Sequence, residues 1–162
     1  MSEAFHIPEG SHIGHVHLKV SDLDRALSFY CELLGFQVKQ RFGDQVAFIA
    51  SGNYHHHIGL NTWQSKGQPP APKQYPGLFH TAIVVPQRKD LAIMFQRLLD
   101  QDYPFTGFAD HGVSEALYLD DPDGNGVELY WDKPQEEWPI NESGELKMYT
   151  RSLDLESLVS LL

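Results

Sequence analysis

Nine histidines occur in 162 residues, and eight of them gather at 12–17, 55–57, 80 and 111. Clustered imidazoles point to a metal site or to acid–base work, because imidazole binds divalent ions and exchanges protons near neutral pH. The triplet at 55–57 lies inside the chain, so it is not an expression tag. His15 sits in GHVHLKV and His80 in HTAIVV, two segments with the alternation of a half-buried strand. Glu128 sits in VELYWD, directly after the turn DPDGNG. Period-two alternation places His17 on the face of His15, and Tyr130 on the face of Glu128. A single strand histidine is more often a packing residue than a ligand. Two at matched positions, with a carboxylate beyond a turn, shift that balance. If the polar faces turn inward, His15, His80 and Glu128 form a facial triad, which leaves roughly three positions open on an octahedral ion. Fe(II) suits such a set, because a substrate and O2 can then bind side by side; Mn(II) also fits.

The elements that must position these residues follow a repeated plan. After the 14–20 strand, Ser21 and Asp24 stand at capping-box spacing. They open a helix with Ala26, Leu27, Tyr30, Leu33 and Leu34 on one face, stopped at Gly35. Strands are expected at 37–42, 45–51 and 56–62. The segment 65–77 holds four prolines and two glycines and reads as a linker. A strand at 80–85, a helix over 89–100 and strands near 104–108, 115–119 and 126–132 then repeat the plan. An offset of 65 residues sets His15 on His80, Leu18 on Ile83, and Tyr30 on Phe95. The order β-α-β-β-β, twice, predicts an α+β fold. Each module is too small to bury a full core alone, so the two should pack together through their first and last strands. The expected domain runs over 1–133, with module one at 11–64 and module two at 78–133. The extension 134–162 ends in a short helix at 154–162, whose leucines dock on the body or on a partner chain.

Composition narrows the function classes. The 12 basic and 22 acidic residues leave a net charge of −10. Nucleic acid and anionic membrane surfaces would be repelled, and no Lys/Arg stripe overrides that. No apolar run reaches the roughly 18–20 residues of a membrane span, and the first ten residues lack the pattern of a signal peptide. One cysteine, Cys31, falls within the first helix and reads as a packing or surface thiol rather than a nucleophile. It rules out an internal disulfide and accords with a cytoplasmic location.

GHVHLKVSDLDRALSFYCELLGF resembles the opening module of the vicinal-oxygen-chelate superfamily, which takes in glyoxalases, bleomycin-resistance proteins and extradiol dioxygenases. The resemblance covers residues 11–133. HGVSEALYLDDPDGNGVE, 111–128, is similar to the signature of type I extradiol ring-cleaving dioxygenases, with His111, Leu117, Tyr118, Asp121, Pro122, Gly124 and Glu128 filling it. Ala109 departs from that pattern. YHHHIGLNTW, 54–63, resembles the histidine-rich strand of catechol 2,3-dioxygenase catalytic domains, and the similarity continues into the EEWP tail. The resemblance implies two βαβββ modules forming an incompletely closed mixed β-barrel around a metal, with the helices outside. It implies His15, His80 and Glu128 as iron ligands and His56 as the acid–base that handles the substrate proton. His111 and Tyr118 would bind oxygen atoms of a catechol-like aromatic substrate and of its O2 adduct. Strict alternation instead turns His55, His57 and Asn61 inward; a bulge near 55–57 would reconcile the two, and His57 is the reserve for His56.

Two other functions compete. A glyoxalase-like isomerase or lyase takes a fourth ligand from the last strand of the first module, where this chain has Gly59. A metal-free antibiotic-binding protein of the same fold would not need three ligands to converge. Exposed module edges make a homodimer the expected assembly.

Overall fold

The computed structural model describes residues 4–162; the first three residues of the expected 1–133 domain lie outside it. Module one comprises β1 (Val16–Lys19), α1 (Leu23–Leu27), β2 (Gln37–Phe42), β3 (Val46–Ala50) and β4 (Ile58–Asn61). Module two repeats it with β5 (Thr81–Val84), α2 (Arg88–Asp100), β6 (Gly107–Asp110), β7 (Ser114–Asp120) and β8 (Gly126–Asp132). A short α3 (Leu155–Val159) ends the chain. Among the described residues, no helix is long and apolar enough to cross a membrane.

Each module forms its own mixed sheet, ordered β1-β4-β3-β2 and β5-β8-β7-β6. The first and last strands of a module pair in parallel, and the others pair antiparallel. The result is an open α+β arrangement of two four-stranded sheets, not a closed barrel.

First- and last-strand residues share the joint with the first helix, and among the described residues no strand pairs across the modules. Leu18, Phe29, Tyr30 and Leu60 of module one share one buried cluster with Leu91, Phe95, Leu117 and Leu129 of module two. Polar contacts then fix the register. The buried Tyr30 hydroxyl donates to Asp121 Oδ2 at 3.0 Å, and Arg25 pairs with Asp123 at 2.7 Å. From the other side, Arg97 Nε donates to the Leu33 carbonyl at 2.7 Å. Burial and the neighbouring Asp121 push the Tyr30 hydroxyl far above its ordinary range, so it stays a donor.

Local details moved by a residue or more. The helix cap is Asp22, whose carboxylate accepts from Arg25 N at 2.9 Å, while Ser21 receives the Arg25 guanidinium. After Leu27 the helix widens through Ser28–Leu33 and stops at Gly35, which takes φ +89° as its glycine allows. The strand expected at 104–108 starts at Gly107 instead. Pro104 offers no N–H, and Phe105 and Phe108 both pack on Phe95, a spacing of three that a strand does not give. The C-terminal leucines dock on the body: Leu153 and Leu158 are buried in the shared core.

Candidate metal and proton-transfer site

Glu128 is the centre of the polar cluster in module two. The DPDGNG turn sets it up. Asp121 Oδ1 accepts from the backbone N–H of Asp123 and of Asn125, each at 2.9 Å, and Gly124 takes φ +79°. β8 then runs beside β7 with Tyr118 directly opposite Glu128, and beside β5 with Ala82 opposite it. The Glu128 side chain is 12% exposed, and both of its oxygens are engaged. Oε2 lies 3.0 Å from His80 Nε2. Oε1 accepts the Tyr118 hydroxyl at 2.9 Å, and that hydroxyl lies 2.7 Å from His111 Nε2. His80, Glu128, Tyr118 and His111 thus form one hydrogen-bonded file across four neighbouring segments. Burial, then the Glu128 carboxylate, pushes the Tyr118 phenol well above its ordinary range. It therefore remains a protonated donor at neutral pH.

His80 reaches Glu128 because Gly126 has no side chain. A Cβ there would stand 2.2 Å from the Phe79 carbonyl oxygen and 3.1 Å from His80 Cβ. His80 Nδ1 is buried without a hydrogen-bond partner, as is the neighbouring Thr81 hydroxyl. Packing against Phe79 and Tyr118 orients the ring, with centroids at 5.4 and 5.8 Å.

Module one contributes a second cluster. The His15 and His56 rings are 4.4 Å apart, and His56 also packs on Phe48 at 4.8 Å. Burial, then the nearby His15, holds His56 below the usual histidine range, which keeps it neutral and able to accept a proton. The triplet lies in a bend, since β4 begins only at Ile58, and strand alternation does not apply to it. Of the three histidines, His56 packs on His15. His57 turns toward Ser51, whose N–H meets its Nδ1 at 3.3 Å, and toward the Tyr54 ring.

His17 lies over Gly59, its partner in the β1–β4 register, and on Phe48 and Trp63. A Cβ at Gly59 would come within 2.9 Å of the His17 ring. The same two strand positions are filled in opposite ways in the two modules: Ala82 with Glu128 in one, His17 with Gly59 in the other. Tyr130 is half-buried on β8, two residues beyond Glu128, and burial raises its phenol.

Among the described residues, no three His, Cys, Asp or Glu side chains are gathered tightly enough to share one ion. His80 and Glu128 face each other, and His15 stands apart from them beside His56. The physical reason is that β1 and β5 belong to separate sheets with no ladder fixing their distance. The donors nonetheless suit a first-row divalent metal. An imidazole nitrogen and a carboxylate oxygen aimed at one point are hard-to-borderline ligands, and a proton between them does what a cation would. Two clefts of about 540 and 370 Å³ flank Ser21 and Asp22, and no histidine lines either. Chemistry, not depth, marks this site.

A model of the glyoxalase/bleomycin resistance protein/dioxygenase superfamily matches residues 12–129. The chain belongs to that superfamily. Within it, the chain is 39% identical over 154 residues to a protein named catechol-2,3-dioxygenase from Bacillus subtilis (strain 168), covering 94% of this chain and 53% of that one. It is 31% identical over 120 residues to biphenyl-2,3-diol 1,2-dioxygenase 3 of Rhodococcus globerulus, covering 74% and 63%. The chain therefore spans between about half and two thirds of the length of these curated relatives. The crystal structure of a glyoxalase/dioxygenase from Nostoc punctiforme superposes with a TM-score of 0.66 at 17% identity, over 82% of this chain and all of that one. That last likeness speaks for the superfamily fold alone.

The sequence left two parts of the site unmarked. Gly126 was visible only as a turn glycine. The segment 149–151, which reaches His111, has no periodicity to announce it.

Proposed function

We propose that this chain is a non-heme Fe(II)-dependent extradiol dioxygenase that opens a catechol-like ring with O2. The observation that carries the reading is the engagement of Glu128 by His80 on one oxygen and by the Tyr118–His111 pair on the other. His80, Glu128 and, from module one, His15 would hold the metal, with Mn(II) as the alternative ion. A bound metal would supply a Lewis-acidic centre where the diol oxygens and O2 meet. The protein's own groups handle the protons. His56, neutral and beside His15, accepts a proton from a diol hydroxyl. Tyr118 and His111 would supply donors to the oxygen atoms that gain negative charge once the Glu128 carboxylate, which takes the Tyr118 proton here, turns to the metal. His17 and Tyr130 line the approach, and His57 is the reserve base. We place the protein in the cytoplasm as a homodimer, and take 134–162 as an extension of a domain ending near residue 133. The relatives named as diol dioxygenases support the reading.

The test is anaerobic loading with Fe(II), followed by addition of O2 and a panel of catechols. The expected result is a yellow product whose mass is diol plus one O2, with one O2 consumed per diol. Verified iron with no uptake for any catechol would sink it. Gly59 stands where a glyoxalase-like enzyme needs a fourth ligand, and it is already filled over by His17, so the isomerase reading gains nothing here.

A further inference from the structure

Beyond Asp132 the chain folds back as a strap along β6. Asp110 and Arg151 form an antiparallel bridge, exchanging backbone hydrogen bonds of 2.9 Å in both directions. Tyr149 N–H donates to the His111 carbonyl at 3.2 Å. Gly112, at φ +81°, lets the strap close: a Cβ there would stand 2.8 Å from both Pro139 and the Tyr149 ring. Lys133 reaches back to Asp110 at 2.8 Å, and further on Leu153 and Leu158 are buried. Arg88 holds the end of the strap, donating to Ser157 Oγ at 3.2 Å. This strap lies beyond the residues that the superfamily model matches. It brings Thr150 Oγ1 to 3.2 Å from His111 Nδ1, with the Tyr149 carbonyl oxygen at 3.3 Å.

The proton inventory of the file gives this contact a consequence. A tyrosine hydroxyl has one proton. The Tyr118 proton goes to the Glu128 carboxylate, because a hydrogen bond to a charged acceptor is the stronger one. His111 Nε2 must then donate to the Tyr118 oxygen. A neutral imidazole carries one N–H, so Nδ1 is left bare and needs a donor. The Tyr149 carbonyl cannot donate and favours the opposite tautomer. The Thr150 hydroxyl can.

We propose that Thr150 is a positioning residue: its hydroxyl donates to His111 Nδ1 and keeps the imidazole proton on Nε2, aimed at Tyr118. The strap is then part of the site and not a passive tail. Its importance for turnover rests on the dioxygenase reading, in which His111 and Tyr118 meet the substrate. The tautomer itself does not.

The test uses the full chain, treated with chelator and labelled with ¹⁵N at histidine, at about pH 8, above the ordinary histidine value near 6.5. Two-bond ¹H–¹⁵N correlations show which ring nitrogen is protonated. The native chain and Thr150→Ser are expected to carry the His111 proton on Nε2. In Thr150→Val a methyl group replaces the donor and keeps water from Nδ1, so the proton should move to Nδ1, facing the Tyr149 carbonyl. An unchanged amide spectrum around Leu153 and Leu158 reports that the strap is still docked in the variant. The proposal is overturned if the native ring is protonated on Nδ1 or on both nitrogens, or if a docked Val variant keeps the native pattern. Turnover plays no part in this readout, so the result stands whether or not the chain opens diols.

Discussion

Replacing Tyr118 by Phe removes one oxygen atom and two contacts at once: 2.9 Å to Glu128 and 2.7 Å to His111. The stability cost is set by the loss of a charge-assisted hydrogen bond in a half-buried setting. Discounted for solvent reaching the Tyr118 hydroxyl, this is about 1–2 kcal/mol. For a chain of this length that lowers the melting temperature by about 3–6 °C. Turnover should fall much further. A fixed donor aimed at developing negative charge is worth about a hundredfold or more in rate. Tyr30→Phe is the matched control. It deletes the same atom from a fully buried site, the 3.0 Å bond to Asp121, on the joint between the modules. That variant should lose at least as much stability and keep native turnover. The assay pairs thermal unfolding with O2 uptake on the best catechol of the panel. A Tyr118→Phe turnover within about threefold of native, or a loss of turnover in step with stability in both variants, would refute a role for Tyr118 in turnover.

Gly126→Ala should cost about 1–3 kcal/mol and weaken metal binding, because its Cβ meets the Phe79 backbone at 2.2 Å and must push His80 away from Glu128; isothermal titration with a divalent metal and thermal unfolding check both. Gly59→Ala should be milder in thermal unfolding, since the atoms nearest its Cβ belong to the side-chain ring of His17 and not to backbone. At Asp110, burial acts to raise the carboxyl, but the hydrogen bonds from Lys133 and the Gly112 N–H outweigh it, and the folded value lies below the ordinary one. Its contribution is therefore full above the unfolded value near 3.9 and is lost as pH falls through the folded value. Urea unfolding should show Asp110→Asn less stable than native by about 1–2 kcal/mol at neutral pH, with the gap closing in acid; a gap independent of pH would contradict this.

Much of the architecture was legible because two periods carry it. Alternation in GHVHLKV and HTAIVV marks the first strands, and the offset of 65 residues announces the second module. Glu128 was legible for a similar reason, since a turn, a strand and its phase agree there. What was not legible is how one sheet stands relative to the other. Alternation fixes a side chain against its own sheet only, and the joint rests on Tyr30–Asp121, Arg25–Asp123 and Arg97 with the Leu33 carbonyl, contacts 64 to 98 residues apart. Hence His15 was expected beside His80 and Glu128, and is found beside His56. The choice between His56 and His57 was open for another reason: the triplet lies in a bend where no period holds. Thr150 was invisible because it belongs to no helix or strand and stands beside an isolated bridge, Asp110 to Arg151.

His80, Glu128 and His15 are proposed to hold one metal ion, although the first two already meet and the third stands just ahead of β1 in the other module. Diffraction from iron-loaded crystals at the iron absorption edge tests it most directly. One anomalous peak is expected, touching His80 Nε2 and the Glu128 carboxylate, with His15 drawn in as the third protein ligand. A peak on another set of residues, or none at Glu128 in crystals shown to contain iron, would contradict it.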